Sequence, residues 1–433
     1  MGRLSKGDYY MVKLLVYKIK SKIPVDFSQV FFFDILSKVF MLAITIILIR
    51  FMVPAEYADI VKFTALSSFN FGVFGEGIAL TFIRYSTEQF SRGKKNSLAL
   101  HTKVSLMLLI LSIIAIGLAP LLAKVYNMAN TVVIYSIIYG FLIALINMNL
   151  AYFQSRELYV QSGMINNIKN IFILLGIGSF LLIFHELRVI SVILLFIFSS
   201  IVTFCYGLYK IYKSKQVKNI LLDFYDFKLM IKESLWVLVY LILLNLFNQM
   251  DIIMISNLLT NKDVALYGIA FKYYSLLLTL LPSIKAVLRV RTSKVEFVDS
   301  KEHRKEFVLQ WLKKTWFIVF LSCVVIILLS GLFMPHINGH QYDDAIPAFN
   351  ILVVGVGISY MFASNISIMM SARRYKELCF LAAISLAFNV FSNWLLIPIY
   401  GINAAAATTI VSHAILNMST TLFIIYDKRE LKV

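Results

Sequence analysis

Five charged residues stand out because of where they sit: Asp34, Lys38, Glu76, Asp251 and Lys272 each interrupt a long apolar run. A charge inside a membrane span is costly, so it faces a polar interior and marks a pathway or an ion pair. Asp34 and Lys38 are spaced i,i+4 and share one helix face. Lys38 and Glu76 each lie about 10 Å in from the inner end of their spans, counted at the helical rise. Asp251 and Lys272 lie about 12 Å in from the outer side by the same count. The first reading is two neutralised pairs, Lys38 with Glu76 and Asp251 with Lys272, pinning adjacent helices. The second is a polar cavity whose cations meet an anionic substrate while Asp34, Glu76 or Asp251 carries a coupling proton or ion. A cation and a carboxylate in each half is more than packing requires, which favours the cavity.

Arg84, Arg289 and Arg291 fall at inner span ends. There they anchor by snorkelling, or they form a vestibule that grips phosphate through the planar guanidinium fork. His336 and His340 have i,i+4 spacing, but a lone pair in a turn around Gly339 makes a poor metal site. GVFGEG at 72–77 lies within a span, where small residues allow close packing or a hinge rather than a phosphate cradle. The sequence holds no P-loop. Neither a Ser-His-Asp constellation nor a metal-ligand cluster is evident, and no cofactor is expected. Cys205, Cys323 and Cys379 all lie in apolar runs and read as small buried hydrophobes.

The elements that position these groups follow from composition. Of 433 residues 60% are hydrophobic and only 15% charged, where a soluble domain would carry about 25%. So much apolar surface needs a bilayer to cover it. Twelve spans are expected, at 31–53, 57–83, 104–123, 129–153, 164–184, 189–209, 234–259, 264–288, 315–335, 346–370, 378–398 and 402–426. Pro282 predicts a kink in the eighth. With a cytoplasmic N-terminus, 34 of the 41 Lys and Arg fall in inner segments or the adjoining span ends and five in outer turns. That is the positive-inside pattern. It accounts for the net charge of +18 without invoking nucleic acid. The expected class is an all-α integral membrane protein of the bacterial inner membrane, with both termini cytoplasmic.

The expected organisation is a basic amphipathic segment at 1–30 and a six-helix lobe at 31–212. A cytoplasmic connection at 213–233 follows, then a second six-helix lobe at 234–426 and a tail at 427–433. The stretch 9–22 reads as a helix on the anionic inner leaflet or as a solvated leader, and the basic 291–314 loop as a topogenic surface helix. No cleavable signal peptide is expected, and Lys6 stands where a myristoylation site needs Ser or Thr. An offset of 207 superposes IRYS (83–86) on VRTS (290–293), which favours a duplicated bundle of the kind transporters use.

Several stretches resemble a known family. They are LLIPIYGINAAAATTIVSH (395–413), MDIIMISNLLTNKDVALYGIAFKYYSLLLTLLP (250–282), and the inner turns at 151–171 and 369–384. Over roughly 31–426 the chain resembles the polysaccharide-export branch of the multidrug/oligosaccharidyl-lipid/polysaccharide flippases, and within it the O-antigen flippases called Wzx. Ala58 and Ala265 stand where that family has Gly.

The resemblance implies two six-helix lobes around a central cavity, alternating access, and an undecaprenyl-pyrophosphate-linked oligosaccharide as cargo. Membrane lipids and other polysaccharide assembly proteins are the partners it implies. Lys38, Lys272, Arg84, Arg289 and Arg291 would meet the anionic headgroup. Asn245, Asn248, Gln249, Tyr273, Tyr274, Asn365, Asn389 and Asn393 would suit sugars. Two alternatives are a multidrug-type antiporter of the same fold and a membrane polysaccharide polymerase or ligase. Cations in both halves disfavour cationic drugs. Short outer connections without Lys or Arg at 336–345 disfavour the enzyme. The topology is testable: reporter fusions near Lys94, Lys215 and Lys301 are expected to be active on the cytoplasmic side and one near Gly339 on the periplasmic side. Periplasmic activity at Lys301 would contradict the twelve-span arrangement.

Overall fold

The computed structural model describes residues 25–91, 97–213, 224–292, 301–372 and 374–426. Most of the 1–30 segment, part of the 213–233 connection, part of the basic 291–314 loop and the 427–433 tail lie outside the described residues. In chain order the helices are α1 (Val25–Phe51), α2 (Pro54–Phe71), α3 (Gly77–Ser91), α4 (Ser97–Gly117), α5 (Ala119–Tyr126), α6 (Asn130–Gln154), α7 (Tyr159–Phe184), α8 (Val189–Lys213) and α9 (Phe224–Leu258). They continue with α10 (Asn261–Leu277), α11 (Leu281–Thr292), α12 (Lys301–Asn338), α13 (Ile346–Met361), α14 (Ala363–Ser371), α15 (Tyr375–Tyr400) and α16 (Ile402–Tyr426). The chain is an all-helical, multi-pass membrane protein.

Among the described residues ten helices are long and apolar enough to cross a membrane. The third and tenth expected spans are interrupted at Leu118 and Phe362, and the second and eighth are broken too. A π-helical turn, Gly72–Glu76, separates α2 from α3. A 3-10 turn, Leu278–Leu280, separates α10 from α11, where Pro282 cannot supply a helical N–H. The two breaks nearly coincide under the 207-residue offset. The GVFGEG run and Pro282 thus mark interruptions of spans that each carry one of the in-membrane charges.

Two helices run further than the hydropathy expects. Helix α9 starts ten residues before 234, and α12 extends from Lys301 through the whole of 315–335. At 38 residues α12 is about 57 Å long, well beyond a bilayer core of about 30 Å. Its charged first turns continue the span as helix where a separate surface helix was expected. Outside the hydrocarbon a charged helix has no desolvation penalty to stop it.

The packing is uneven across the membrane. Toward the membrane face where α1 ends and α2 begins, one apolar cluster joins both halves of the chain, with Ile49, Phe63, Tyr267 and Phe349 fully buried in it. Gly268 on α10 makes this closure possible: a Cβ there would sit 2.6 Å from a methyl of Val61 on α2. Toward the opposite face the apolar core divides. One cluster is built almost wholly from the N-terminal half (Ile78, Phe82, Leu145, Tyr152) and another from the C-terminal half (Tyr240, Ile368, Leu378, Leu416).

Candidate functional site

Helix α1 is held on α7 by side chains that reach its backbone. Asn167 Nδ2 donates to Phe33 O (3.1 Å), and Asn170 Nδ2 donates to Ser37 O (3.3 Å) and Ser37 Oγ (2.9 Å). Gly163 lets the Phe33 ring lie directly on α7, for a Cβ there would fall 2.3 Å from the ring. This pinning fixes Lys38, next to Ser37, toward Lys169, which lies between the two asparagines. Lys272 of α10 completes the group. The three lysines line one cavity of about 350 Å³, whose remaining wall comes from α1, α2, α6, α7 and α8 and includes Tyr57, Thr64 and Tyr139. The ammonium groups are close enough to repel one another. None of the three takes part in an ion pair among the described residues. A smaller gap lined by Lys38, Met41, Leu42, Thr45, Lys272, Ser275 and Leu276 separates α1 from α10 at the same place. Lys38 and Met41 are exposed on that flank.

Asp251 is set apart from this cavity. It is 1% exposed and accepts four hydrogen bonds. The Tyr267 and Thr409 hydroxyls donate to one carboxyl oxygen, and Asn393 (2.8 Å) and Asn389 (3.4 Å) to the other. Thr408 in turn donates to Asn393 Oδ1. The expected Asp251–Lys272 pair is absent. Tyr267 faces Asp251, and Lys272 follows it by five residues, about 140° further round α10, so the lysine points to the cavity instead. The Lys38–Glu76 pair is absent too. Glu76 lies in the π-helical turn and accepts from Asn245 Nδ2 of α9 (3.3 Å), away from α1. Two neutralising pairs are therefore not what these charges form.

None of the eight amide and tyrosine residues expected to meet sugars is in the wall of the lysine cavity. Asn389 and Asn393 serve Asp251. Asn365 binds Asn417 O and the Thr420 and Thr421 hydroxyls. Tyr273 donates to Asn338 Oδ1, Tyr274 is buried, Asn245 is on Glu76, Asn248 is exposed and Gln249 is half-buried. Apolar spans bury amides as helix-to-helix links, so an Asn in a span is ambiguous from sequence. Asp34 lies on the exposed side of α1. The side chains of Arg84, Arg289 and Arg291 lie outside the described residues. His336 and His340 have separate partners, Leu332 O and Asp343. Lys169 is the residue that sequence reasoning missed. It was counted with the basic inner turn, although it lies five residues inside the fifth expected span.

At the face where α1 and α12 end, expected from the Lys/Arg pattern to be the outer one, the two halves are fastened together. Arg50 at the end of α1 donates to His336 O (2.7 Å) and Ile337 O (2.9 Å), two carbonyls at the C-terminal, negative end of α12. Lys62 on α2 is 1% exposed and donates to Asn261 Oδ1 (2.7 Å) and Asn127 O (3.3 Å), with Asp59 at 4.0 Å. Asn127 is in the left-handed conformation (φ 48°) that ends α5 and turns its carbonyl toward Lys62. Asn257 also donates to Val125 O. Hydrogen bonds from a charged donor contribute about 1.5–3 kcal/mol each when buried.

A family model described as polysaccharide biosynthesis protein matches residues 47–347. The chain belongs to that family. Its fold is that of transporters of the MOP superfamily. It is similar to a multidrug resistance MATE family transporter in an inward-facing conformation (TM-score 0.72, 12% identity, covering 90% of this chain and 93% of that one). It is similar also to the lipid II flippase MurJ in an inward closed conformation (TM-score 0.73, 17% identity, 93% and 88% covered). An outward-facing MATE family transporter matches at TM-score 0.65 with 14% identity, 92% and 95% covered. No curated protein sequence matches this one.

The fastening makes a direct prediction for this polysaccharide biosynthesis protein. With native cysteines replaced, Thr64→Cys in the cavity wall is expected to react slowly with a membrane-impermeant thiol reagent supplied from outside. Adding Arg50→Ala and Lys62→Leu is expected to raise that rate roughly tenfold or more, by shifting the population toward an outward-open state. An unchanged rate would mean that these contacts do not hold the outer side shut.

Proposed function

We propose that this protein is a flippase that moves undecaprenyl-pyrophosphate-linked oligosaccharide repeat units, of the O-antigen type, from the inner to the outer leaflet of the bacterial inner membrane by alternating access between two six-helix lobes. The observation that carries the reading is the three-lysine cavity whose lining holds no carboxylate, with Asp34 the nearby acid, one turn from Lys38 on α1. A diphosphate crossing a low-dielectric region needs cations along its route, and Lys38, Lys169 and Lys272 supply three at one level. The gap between α1 and α10 beside Lys38 and Lys272 suits a cargo whose headgroup enters the protein while its polyprenyl tail stays in lipid. The split inner core and the fastened outer ends suit loading from the cytoplasmic side. Asp251, held by four neutral donors and remote from the lysines, suits a coupling proton or ion. Glu76 is the second candidate, because its contact with Asn245 joins the two halves. The arginines at the inner span ends, Arg84, Arg289 and Arg291, would serve a cytoplasmic vestibule. The family assignment to polysaccharide biosynthesis and the likeness to a lipid II flippase agree with a lipid-linked sugar as cargo.

The second reading is an ion-coupled multidrug-type antiporter, which the MATE-like fold admits. The cavity argues against it, since three lysines repel the cationic compounds such a carrier would export.

The two readings part in a strain lacking its own flippase. Lys272→Gln, Lys169→Gln and Lys38→Gln are each expected to cut surface polysaccharide at least roughly tenfold at normal membrane abundance, while the corresponding Arg substitutions keep much of it. Normal surface polysaccharide from a well-expressed triple Gln variant would eliminate the cavity as the headgroup site.

A further inference from the structure

The C-terminal half contains a second polar feature that the lysine cavity does not use. Along α16, Thr409, His413, Asn417 and Thr421 recur every four residues and therefore stack on one side of the helix. Thr408, Ser412 and Thr420 lie alongside and are buried. Facing them on α15, Ser385, Asn389 and Asn393 repeat at the same spacing and are fully buried. The upper end of this column is the Asp251 nest, where Thr409 donates to the carboxylate and Asn389 bridges Asp251 and the Thr409 hydroxyl. At the lower end Asn365 of α14 ties Asn417 O to the Thr421 hydroxyl, one to two turns from the inner end of α16. From Thr409 to Thr421 the rise is about 18 Å. That covers most of the distance from the depth of Asp251 to the cytoplasmic side.

His413 is the middle of the column and its one imidazole. Its ring packs edge-on against Phe247 of α9 at 4.5 Å between centroids, and Lys285 of α11 is the charged group that faces it. Among the described residues its ring nitrogens make no hydrogen bond. Serines and threonines in a membrane helix satisfy themselves on their own backbone, and Ser412 does so on Thr408 O. An imidazole can do the same, as His336 does on Leu332 O, but the His413 ring does not, and half-buried at this depth it needs a partner. Around Asp251 the facing groups are Tyr267 and Tyr274 of α10, the two asparagines of α15 and Thr409, none of them a cation.

We propose that this column is a hydrated proton path, with His413 as its relay, that connects Asp251 to the cytoplasmic side separately from the cargo cavity. The inference rests on the reading of Asp251 as a coupling carboxylate. It adds that the proton does not share the lysine-lined route. The physical reason is electrostatic: a proton travelling through a cavity that carries three cations is opposed by them, whereas the α16 column meets Lys285 at His413 and, only at its lower end beside Phe423 and Ile424, Arg304 and Arg374, the latter paired with Glu377. The proton passes from inner water to an unprotonated His413 nitrogen while the other nitrogen releases one toward Asp251, so no other reactant is needed.

The test uses the full chain with Cys205, Cys323 and Cys379 replaced, reconstituted in vesicles of known orientation. Single cysteines are placed on the column (His413→Cys, Asn417→Cys, Thr421→Cys) and on the lipid face of the same helix at two exposed positions (Val411→Cys, Met418→Cys). A membrane-impermeant methanethiosulfonate is added to the inner side. Column positions are expected to react at least roughly tenfold faster than lipid-face positions, since only hydrated thiols ionise and react. Inorganic diphosphate at a concentration that protects Thr64→Cys in the cavity is expected to leave 413 and 417 unprotected. Equal reactivity of the two faces would overturn the path, and protection of 413 by diphosphate would merge it with the cavity. The coupling reading is judged separately by Asp251→Asn. If that variant transports normally the coupling reading fails whatever the labelling pattern, and if it is inactive while 413 stays unreactive, only the path fails. His413→Gln, which keeps the polarity without a relay at cytoplasmic pH, is expected to slow transport and remove its dependence on inner pH. An unaltered pH profile would exclude the relay.

Discussion

Three ammonium groups sharing one small cavity inside a membrane bundle, without an ion-pair partner among the described residues, is the arrangement on which the rest of the molecule depends. It is costly, because each cation is drawn from water and each repels the other two. A stable fold tolerates it only where water enters or where an anion arrives. The packing around it is correspondingly firm. Asn167 and Asn170 seize the backbone of α1, and Gly163 brings the two helices into direct contact, so that the backbone carrying Lys38 is fixed beside the helix carrying Lys169. A cavity that binds by charge must keep its charges in place, and here the scaffold does so through neutral amides that do not quench them.

Separation of charge is the second theme. Lys272 and Asp251 sit at a similar depth on consecutive spans, and simple neutralisation would join them. Helical geometry prevents it: α10 offers Tyr267 to the carboxylate and Lys272 to the cavity. The result is one half-buried cluster of cations and one buried carboxylate with neutral ligands, two sites that can change occupancy without cancelling each other. The outer fastening uses the same chemistry differently. Lys62 and Arg50 bind carbonyl and amide oxygens rather than forming close carboxylate pairs.

Much of this was legible in the sequence, for physical reasons. Apolar runs near the bilayer thickness define spans, and the last span, 402–426, coincides with α16. Pro282 and the glycine-rich 72–77 run marked the breaks in the eighth and second spans, since each weakens helical hydrogen bonding or packing in a recognisable way, whereas the break at Phe362 carried no such mark. In-membrane Lys38 and Lys272 announced themselves by cost. The rest depended on rotation about helix axes, which depth alone does not give. Depth paired Asp251 with Lys272, and rotation separated them. Asn389, Asn393 and Asn365 looked like sugar ligands because an amide in a span is polar, yet their hydrogen bonds run between helices. Lys169 was hidden by its nearness to a basic inner turn, where a lysine is unremarkable.

The central claim is that the lysine cavity recognises a lipid-borne diphosphate. The most direct measurement is native mass spectrometry of the purified full chain with undecaprenyl diphosphate and with undecaprenol, for the parent and for the triple Lys38→Gln/Lys169→Gln/Lys272→Gln variant. The account predicts at least roughly tenfold preference of the parent for the diphosphate lipid, corresponding to about 1.4 kcal/mol or more, and loss of that preference in the variant with binding of undecaprenol unchanged. Equal binding of the two lipids by the parent, or an undiminished preference in the variant, would contradict it.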